Sequence, residues 1–207
     1  MVFDFGGVLG LPLASRTREE MAALCGLSVA EFQRLYQPDR LELDRGTLPG
    51  TEYWRRILSA SGKKATPELV AAIDEIDTRG WLQVNTRVVA WTEELRAEGY
   101  RTGLLSNMPP EKLAFMQREP AYRWIDRFHA VVFSCDYALV KPEPAIYRLC
   151  LSKLGADSAE CLFLDDMPAN IDAANALGFQ GFLFKSVEQA APLIQAQWGI
   201  PVRSLLG

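Results

Sequence analysis

Apolar and polar positions follow a repeated rhythm along this chain: short apolar runs rich in β-branched or aromatic residues end in polar residues or glycine, and a helix-length stretch follows. The runs are MVF before Asp4, YRTGLLS at 100–106, AVVFS at 130–134, CLFLDD at 161–166 and GFLFK at 181–185. None alternates cleanly, which is the mark of strands covered on both faces, so the pattern predicts a parallel sheet in an α/β fold. Helices are predicted from Asn85 through Glu98, from about Glu143 to Leu154 with a stop at Gly155, from Pro168 to Gly178, and from Val187 to the turn before Gly199. Val88, Val89, Trp91 and Leu95 have the spacing of a face laid on a sheet.

The first run breaks the rhythm. About 75 residues separate Leu9 from the helix before Tyr100, and they read as helices joined by polar turns: 18–25, 29–36, 51–60 and 68–78. Ser28 and Glu31 have capping-box spacing, and Pro49 and Pro67 stand where helix starts tolerate proline. The expected organisation is a Rossmann-like three-layer core of residues 1–13 and 84–207, with a small helical cap of residues 14–83 inserted after strand 1. A cap hinged beside a catalytic loop can exclude water and choose substrates. Three residues before Asp4 make a short central strand, so either further residues precede Met1 or Met1 lies close to the sheet edge.

Size and composition narrow the class. The chain has 207 residues, 49% hydrophobic and 23% charged, enough for one well-buried core plus an insertion. Lysine and arginine number 22 against 26 acidic residues, a net charge of −4, which leaves no electrostatic footprint for nucleic acid. No apolar run approaches the roughly 18 residues that span a bilayer, and the chain opens on a strand-like MVF rather than a secretory leader. A cytoplasmic enzyme without a membrane partner is therefore expected, as monomer or homodimer. Cys25, Cys135, Cys150 and Cys161 form no CxxC pair and His129 is the single histidine, so a structural zinc site lacks ligands and the cysteines read as core filler.

Four polar groups fall at the C-terminal ends of predicted strands, where open parallel sheets bind ligands. Asp4 precedes a Gly6-Gly7 pair that allows a tight turn and a close approach of backbone N–H groups to an anion. Its carboxylate can bind a cation or attack phosphorus, and it can equally cap a turn. Asp165 and Asp166 follow a strongly apolar strand, and two adjacent acids there call for a cation such as magnesium, unless one caps the Pro168 helix and the other is solvated. Lys141, stiffened by Pro142 and Pro144, can neutralise the acids and grip phosphate oxygens. Ser106 and Asn107 can hold a phosphoryl oxygen or cap a helix. In the insertion, Tyr53 and Trp54 either line a substrate pocket or pack the cap, and Arg45 either meets substrate or pairs at the surface. Trp81, Trp91, Trp124 and Trp198 read as packing residues and His129 as a surface or capping residue.

In order and position these groups resemble the haloacid dehalogenase-like superfamily, through VFDFGGVL at 2–9, GLLSNM at 103–108, KPEPAIY at 141–147 and CLFLDDMPANIDAANALG at 161–178. The resemblance covers essentially the whole chain, with the insertion matching the small helical cap type. DRGTL at 44–48 and KPEPAIY are further similar to bacterial alpha-glucose-1-phosphate phosphatases and to the phosphatase domain of epoxide hydrolases. The resemblance implies a magnesium-dependent phosphatase acting on a small phosphorylated metabolite, with Asp4 as nucleophile. It implies Mg2+ held by Asp4, the carbonyl of Gly6 and Asp166, with Asp165 nearby or acting through water. It further implies that Ser106 and the amide of Asn107 bind phosphoryl oxygens, that Lys141 secures Asp4 and phosphate, and that Asn170 organises the acidic loop. One position departs from the pattern: Gly6 stands where phosphatases of this type carry the aspartate that protonates the leaving group. Slow turnover, leaving groups that need little protonation, or an acid from the cap, with Glu42 and Asp44 as candidates, would each accommodate it. A hydrolytic dehalogenase, which also lacks that aspartate, and a non-enzymatic phosphate-binding protein remain as alternatives. A phosphonate-cleaving enzyme needs a desolvated cap lysine, which Lys63 and Lys64 in a polar turn do not supply.

Overall fold

The computed structural model describes residues 1–206. Five parallel strands form one sheet in the order β3-β2-β1-β4-β5, namely β1 (Val2–Phe3), β2 (Gly103–Ser106), β3 (Ala130–Phe133), β4 (Leu162–Asp165) and β5 (Gln180–Leu183). The fold is the expected Rossmann-like α/β core with a helical cap after the first strand. Although β1 has two residues, it occupies the centre of the sheet, with Val2 and Phe3 facing Gly103 and Leu104 on one side and Phe163 and Leu164 on the other. Met1 extends the ladder, its carbonyl accepting from the Gly103 amide at 2.8 Å.

Side chains of successive strand residues enter opposite layers, and both layers are apolar. Phe3, Leu104 and Leu164 pack with Trp91, Leu95 and Ile194, beneath α6 (Thr86–Ala97), α11 (Val187–Trp198) and α12 (Arg203–Leu206). Val2, Leu105 and Phe163 pack with Ile146, Tyr147 and Cys150 of α9 (Pro144–Leu154) and with Ile171 of α10 (Pro168–Ala176). Burial of each large apolar side chain is worth about 1.5–3 kcal/mol, so these two layers dominate the core's stability. Gly155 and Gly199 end their helices in the left-handed region, as their positions in the sequence predict.

Between β1 and β2 the chain runs through α1 (Ser15–Cys25), α2 (Val29–Tyr36), α3 (Arg40–Arg45), α4 (Gly50–Ala60) and α5 (Pro67–Trp81). These helices bury their own cluster, which includes Phe32, Tyr53, Trp54, Ile57, Leu58 and Ile73. The capping box of Ser28 and Glu31 is formed at the start of α2. Several elements were not legible. Helix α3 lies on a stretch that reads as a polar turn, α7 (Pro110–Arg118) with the 3-10 segment Pro120–Arg127 fills the connection after β2, the one-turn α8 (Ser134–Tyr137) follows β3, and α12 lies beyond the last predicted helix. Short charged sequences such as RLELDR carry too little periodicity to register. Among the described residues no helix is long and apolar enough to cross a membrane.

The cap leaves and rejoins the core through a short antiparallel stem in which Gly10 faces Val84. The Leu11 amide donates to the Gln83 carbonyl at 2.7 Å, and the Asn85 amide to the Leu9 carbonyl at 2.8 Å. Polar contacts then fasten the cap to the core. The Lys112 ammonium on α7 pairs with Asp77 on α5, both buried, and Arg40 lies 3.5 Å from the same Asp77 oxygen. Arg45 makes a two-pronged contact with Glu143, at 2.6 and 3.0 Å. The Gly50 amide donates to Glu111 at 2.8 Å, and the Ser134 hydroxyl donates to the Asp44 carbonyl.

Burial separates these contacts energetically. Asp77→Ala strands two cations in a dry interface and should lower unfolding free energy by about 3–5 kcal/mol. Arg45→Ala breaks a half-exposed pair and should cost less than about 1 kcal/mol. Urea unfolding at neutral pH checks the contrast, and equal losses in the two variants would contradict it.

Candidate active site

Parallel register assembles the site. Because Phe3 faces Leu164 and Leu104, the chain positions that follow, Asp4, Asp165 and Leu105-Ser106, emerge side by side at the C-terminal edge of the three central strands. The Asp4 amide still donates to the Leu164 carbonyl at 2.9 Å, so the strand geometry holds to the residue that carries the carboxylate. Asp4 Oδ1 then accepts from the Phe5 amide at 2.6 Å and caps the irregular π-type turn Phe5–Leu9.

The Lys141 ammonium lies 2.7 Å from Asp4 and 2.6 Å from Asp165, with all three side chains buried. Burial alone would lower the pKa of this lysine, but Asp165 and Asp4 together hold it above the ordinary lysine value. Asn107 fixes the lysine backbone from both sides: its side-chain oxygen accepts from the Lys141 amide at 2.8 Å and its amide nitrogen donates to the Lys141 carbonyl at 3.0 Å. Ser106 sits buried beside it and faces the same cavity.

The two adjacent acids have different surroundings. Asp165 accepts from Lys141, from Asn170 Nδ2, which donates to both of its oxygens at 3.0 Å, and from the Met167 amide at 2.8 Å. The Asn170 carbonyl in turn accepts from the Tyr147 hydroxyl at 3.0 Å. Asp166 has no such set of donors and turns toward Gly7, where a Cβ atom would come within 2.5 Å of its carboxylate. Gly7 also has a φ of 71°, so glycine is required there twice over, by backbone conformation and by the acid that fills its side-chain space. Carboxylate oxygens of Asp4, Asp165 and Asp166 all lie within 4.8 Å of one another, a set able to coordinate a divalent cation.

A cavity of about 260 Å3 opens above these groups, and the cap closes its far side. Trp81 lies across Gly6: a Cβ there would stand 3.5 Å from the indole, in ordinary contact, with the ring covering the direction a longer side chain would take. The cap also contributes Tyr36, Gln37, Arg40 and Asp44. Of the two cap acids singled out in the sequence, Asp44 lines the cavity, whereas Glu42 is exposed on α3 and lies outside its lining. Trp54 is not at this cavity either. It is packed against Tyr36 and Tyr53 inside the cap, and its indole N–H donates to Asp74 at 2.9 Å. Arg45 is likewise engaged away from the cavity by Glu143 and by the Ala138 carbonyl. Exposed His129 caps locally, its Nδ1 accepting from the Thr102 amide at 3.0 Å.

Arg40, Asp77, Lys112 and Tyr36 carry no motif, and the sequence reading passed over them. One signal was present. Val70, Ile73 and Asp77 recur at the spacing of a single buried helix face, and an acid on such a face demands a cationic partner. That partner, Lys112, is remote in sequence and could not be named from the pattern.

The three acids face one lysine, and ionisation of Asp4 and Asp166 works against folding when no metal is bound. Burial pushes Asp4 up to about 7, and burial followed by the charge of Asp165 pushes Asp166 up to about 6, both from 3.8. Between 3.8 and about 7 these two groups bind more protons in the folded state than in the unfolded chain, and the stability they contribute falls as pH rises through that window. Thermal melting in chelator should show this fall, magnesium should reduce it, and Asp166→Asn should remove part of it together with part of the magnesium effect. A midpoint that rises across the window in chelator would contradict this electrostatic account.

Known proteins agree with this arrangement. The haloacid dehalogenase-like hydrolase family matches residues 1–178. Acyl-CoA dehydrogenase family member 10 of Mus musculus is 28% identical over 83% of this chain, which spans only 14% of that much longer protein. Sesquiterpene phosphatase astK of Aspergillus oryzae is 26% identical, over 87% of this chain and 86% of its own length. A HAD-like family hydrolase from Porphyromonas gingivalis superposes with a TM-score of 0.75 at 27% identity, covering 94% of this chain and 95% of that one. With strand-end acids, a buried lysine and a helical cap in the family's order, the chain belongs to the haloacid dehalogenase-like hydrolases.

Proposed function

We propose that this chain is a magnesium-dependent phosphatase that hydrolyses a small phosphorylated metabolite, such as a sugar phosphate, through an aspartyl-phosphate on Asp4. The observation that carries the reading is the division of labour among three carboxylates: Lys141 and Asn170 occupy Asp165, Lys141 also steadies Asp4, and Asp166 is left without a comparable donor set. Asp165 is thus a positioning residue, and Asp4 and Asp166 are the acids that face the reacting groups.

The residues fit magnesium on charge and on donor type. Three clustered carboxylates against one ammonium leave an excess of negative charge, and all the ligands offered are hard oxygens. Asp4, Asp166 and the Gly6 carbonyl would hold the ion. When bound, it neutralises that charge and polarises the phosphoryl oxygens. The Asp4 carboxylate attacks phosphorus, forming an acyl-phosphate bond as the phosphorus–oxygen bond to the leaving group breaks. Water then cleaves the acyl-phosphate and regenerates Asp4. Throughout, Lys141 and the Ser106 hydroxyl with the Asn107 amide bind the phosphoryl oxygens. Residue 6 contributes no proton to the departing oxygen, so an alcohol leaving group departs more slowly than one that is stable as an anion.

The dehalogenase alternative shares the nucleophile and lysine but gives Asp166 no task, and an uncompensated acid would repel a haloacid's carboxylate. Similarity at the level of DRGTL and KPEPAIY supports a sugar-phosphate substrate.

Phosphate release from sugar phosphates and an aryl phosphate, with and without magnesium, tests the reading. Release should need magnesium and should drop at least about a thousandfold in Asp4→Asn. Undiminished release in that variant would exclude Asp4 as nucleophile, and no release from any substrate would favour a binding protein. Gly6→Asp should raise turnover of alkyl phosphates more than of aryl phosphates, up to the range of about 10²–10⁴ that general acid catalysis supplies. Equal or lower rates on both would argue against a missing proton donor and for obstruction by Trp81.

A further inference from the structure

The roof of the cavity contains four ionised side chains that neither bind phosphate nor carry out the reaction. Arg40 Nε lies 3.1 Å from Asp44 Oδ1, and Arg40 Nη1 lies 3.5 Å from Asp77, whose carboxylate also pairs with Lys112. Tyr36 stands at the junction: its hydroxyl donates to Asp77 at 2.7 Å and accepts from Arg40 and from the Trp81 indole. Two cations are matched by two anions, and all four are buried or nearly so.

This balance constrains what can occupy the space between the roof and Asp4. A leaving group with its own negative charge would meet no uncompensated cation, because the charges of Arg40 and Lys112 are already balanced by Asp44 and Asp77. It would also lie near Asp44 in a poorly hydrated cavity, where an unpaired charge is costly. A neutral, hydroxylated group has no such penalty. Among the described residues the second oxygen of Asp44 has no hydrogen-bond partner and can accept from a hydroxyl, while Arg40 and Gln37 can donate and the Trp81 ring offers an apolar face. With about 260 Å3 to hold both the phosphoryl group and the leaving group, the cavity limits the leaving group to a short one.

We infer that the Arg40–Asp44–Asp77–Lys112 roof is a charge-compensated specificity filter that admits phosphate esters of short neutral polyols and rejects those carrying a second anionic group. The inference rests on the phosphatase reading and specifies its substrate. Asp44 and Arg40 are the specificity-determining residues in contact with the leaving group, and Asp77 and Lys112 position them.

Glycerol phosphate and phosphoglycerate form a matched pair of probes that differ by a hydroxymethyl group against a carboxylate. With magnesium present, kcat/KM should favour glycerol phosphate by roughly tenfold or more, the scale of leaving a buried polar group unpaired. Asp44→Asn releases Arg40 and should move the ratio toward phosphoglycerate, whereas Arg40→Gln leaves the acids in excess and should move it further toward glycerol phosphate. A purely structural role would lower both rates together in both variants. If Asp44→Asn does not fold, the native preference and the Arg40→Gln shift decide. Equal rates on the two probes, or ratios unmoved by the folded variants, would overturn the filter alone. No release from either probe by native protein that releases phosphate from an aryl or sugar phosphate would also overturn the filter alone, and no release from any of them would overturn the phosphatase reading and the filter with it.

Discussion

Burying Lys141 between Asp4 and Asp165 is the interaction on which the arrangement of the site depends. Carboxylates at the ends of adjacent central strands repel one another, and in a dry sheet edge that repulsion would outweigh a few apolar contacts nearby. The lysine makes their proximity tolerable, and it has to be delivered from a different connection, the one after β3. Asn107 holds the lysine backbone by both its amide and its carbonyl, and Asn170 holds the far side of Asp165. The polar residues at the strand ends therefore form one linked structure, in which each side chain either bears charge or fixes a neighbour that does.

A second buried network, around Asp77, does for the cap what Lys141 does for the core. Its members come from α2, α3 and α5 of the cap and, through Lys112, from α7 of the core, so it is complete only when the cap sits on the core. The two networks face each other across the cavity but differ in balance. The lower one has an excess of negative charge and can accept a metal ion, while the upper one is neutral. If the substrate is a phosphate ester, as proposed, such a distribution would place the electrostatic attraction at the phosphoryl end and leave the roof to discriminate by hydrogen bonding and shape.

Much of the sheet was legible because its strands are apolar on both faces and their helices end at glycine. Asp4, Ser106, Lys141 and Asp165-Asp166 could be found by their position just past apolar runs. What the pattern could not supply was the difference between neighbours. Asp165 and Asp166 look equivalent in sequence, and only Asn170, Lys141 and the Met167 amide converging on one of them separates their environments. Likewise Glu42 and Asp44 are two residues apart, yet the turn of α3 sends one to solvent and the other to the cavity. Trp54 reads as a pocket residue as readily as a packing one until the fold of α4 against α5 is known. The pairing of Asp77 with Lys112 spans 35 positions and obeys no local rule.

The stem at Gly10 and Val84 has a consequence for how such proteins diversify. Its two strands leave the core side by side, at the spacing of any neighbouring strands, roughly 5 Å apart. Seen from the sheet, everything between them is a single long loop whose ends already meet, so lengthening, shortening or exchanging it asks nothing of the strand order. The same stem begins directly after the turn that follows Asp4. A replacement cap would inherit an intact reaction centre at its base and would bring its own roof, which makes the choice of substrate a separable, transplantable trait.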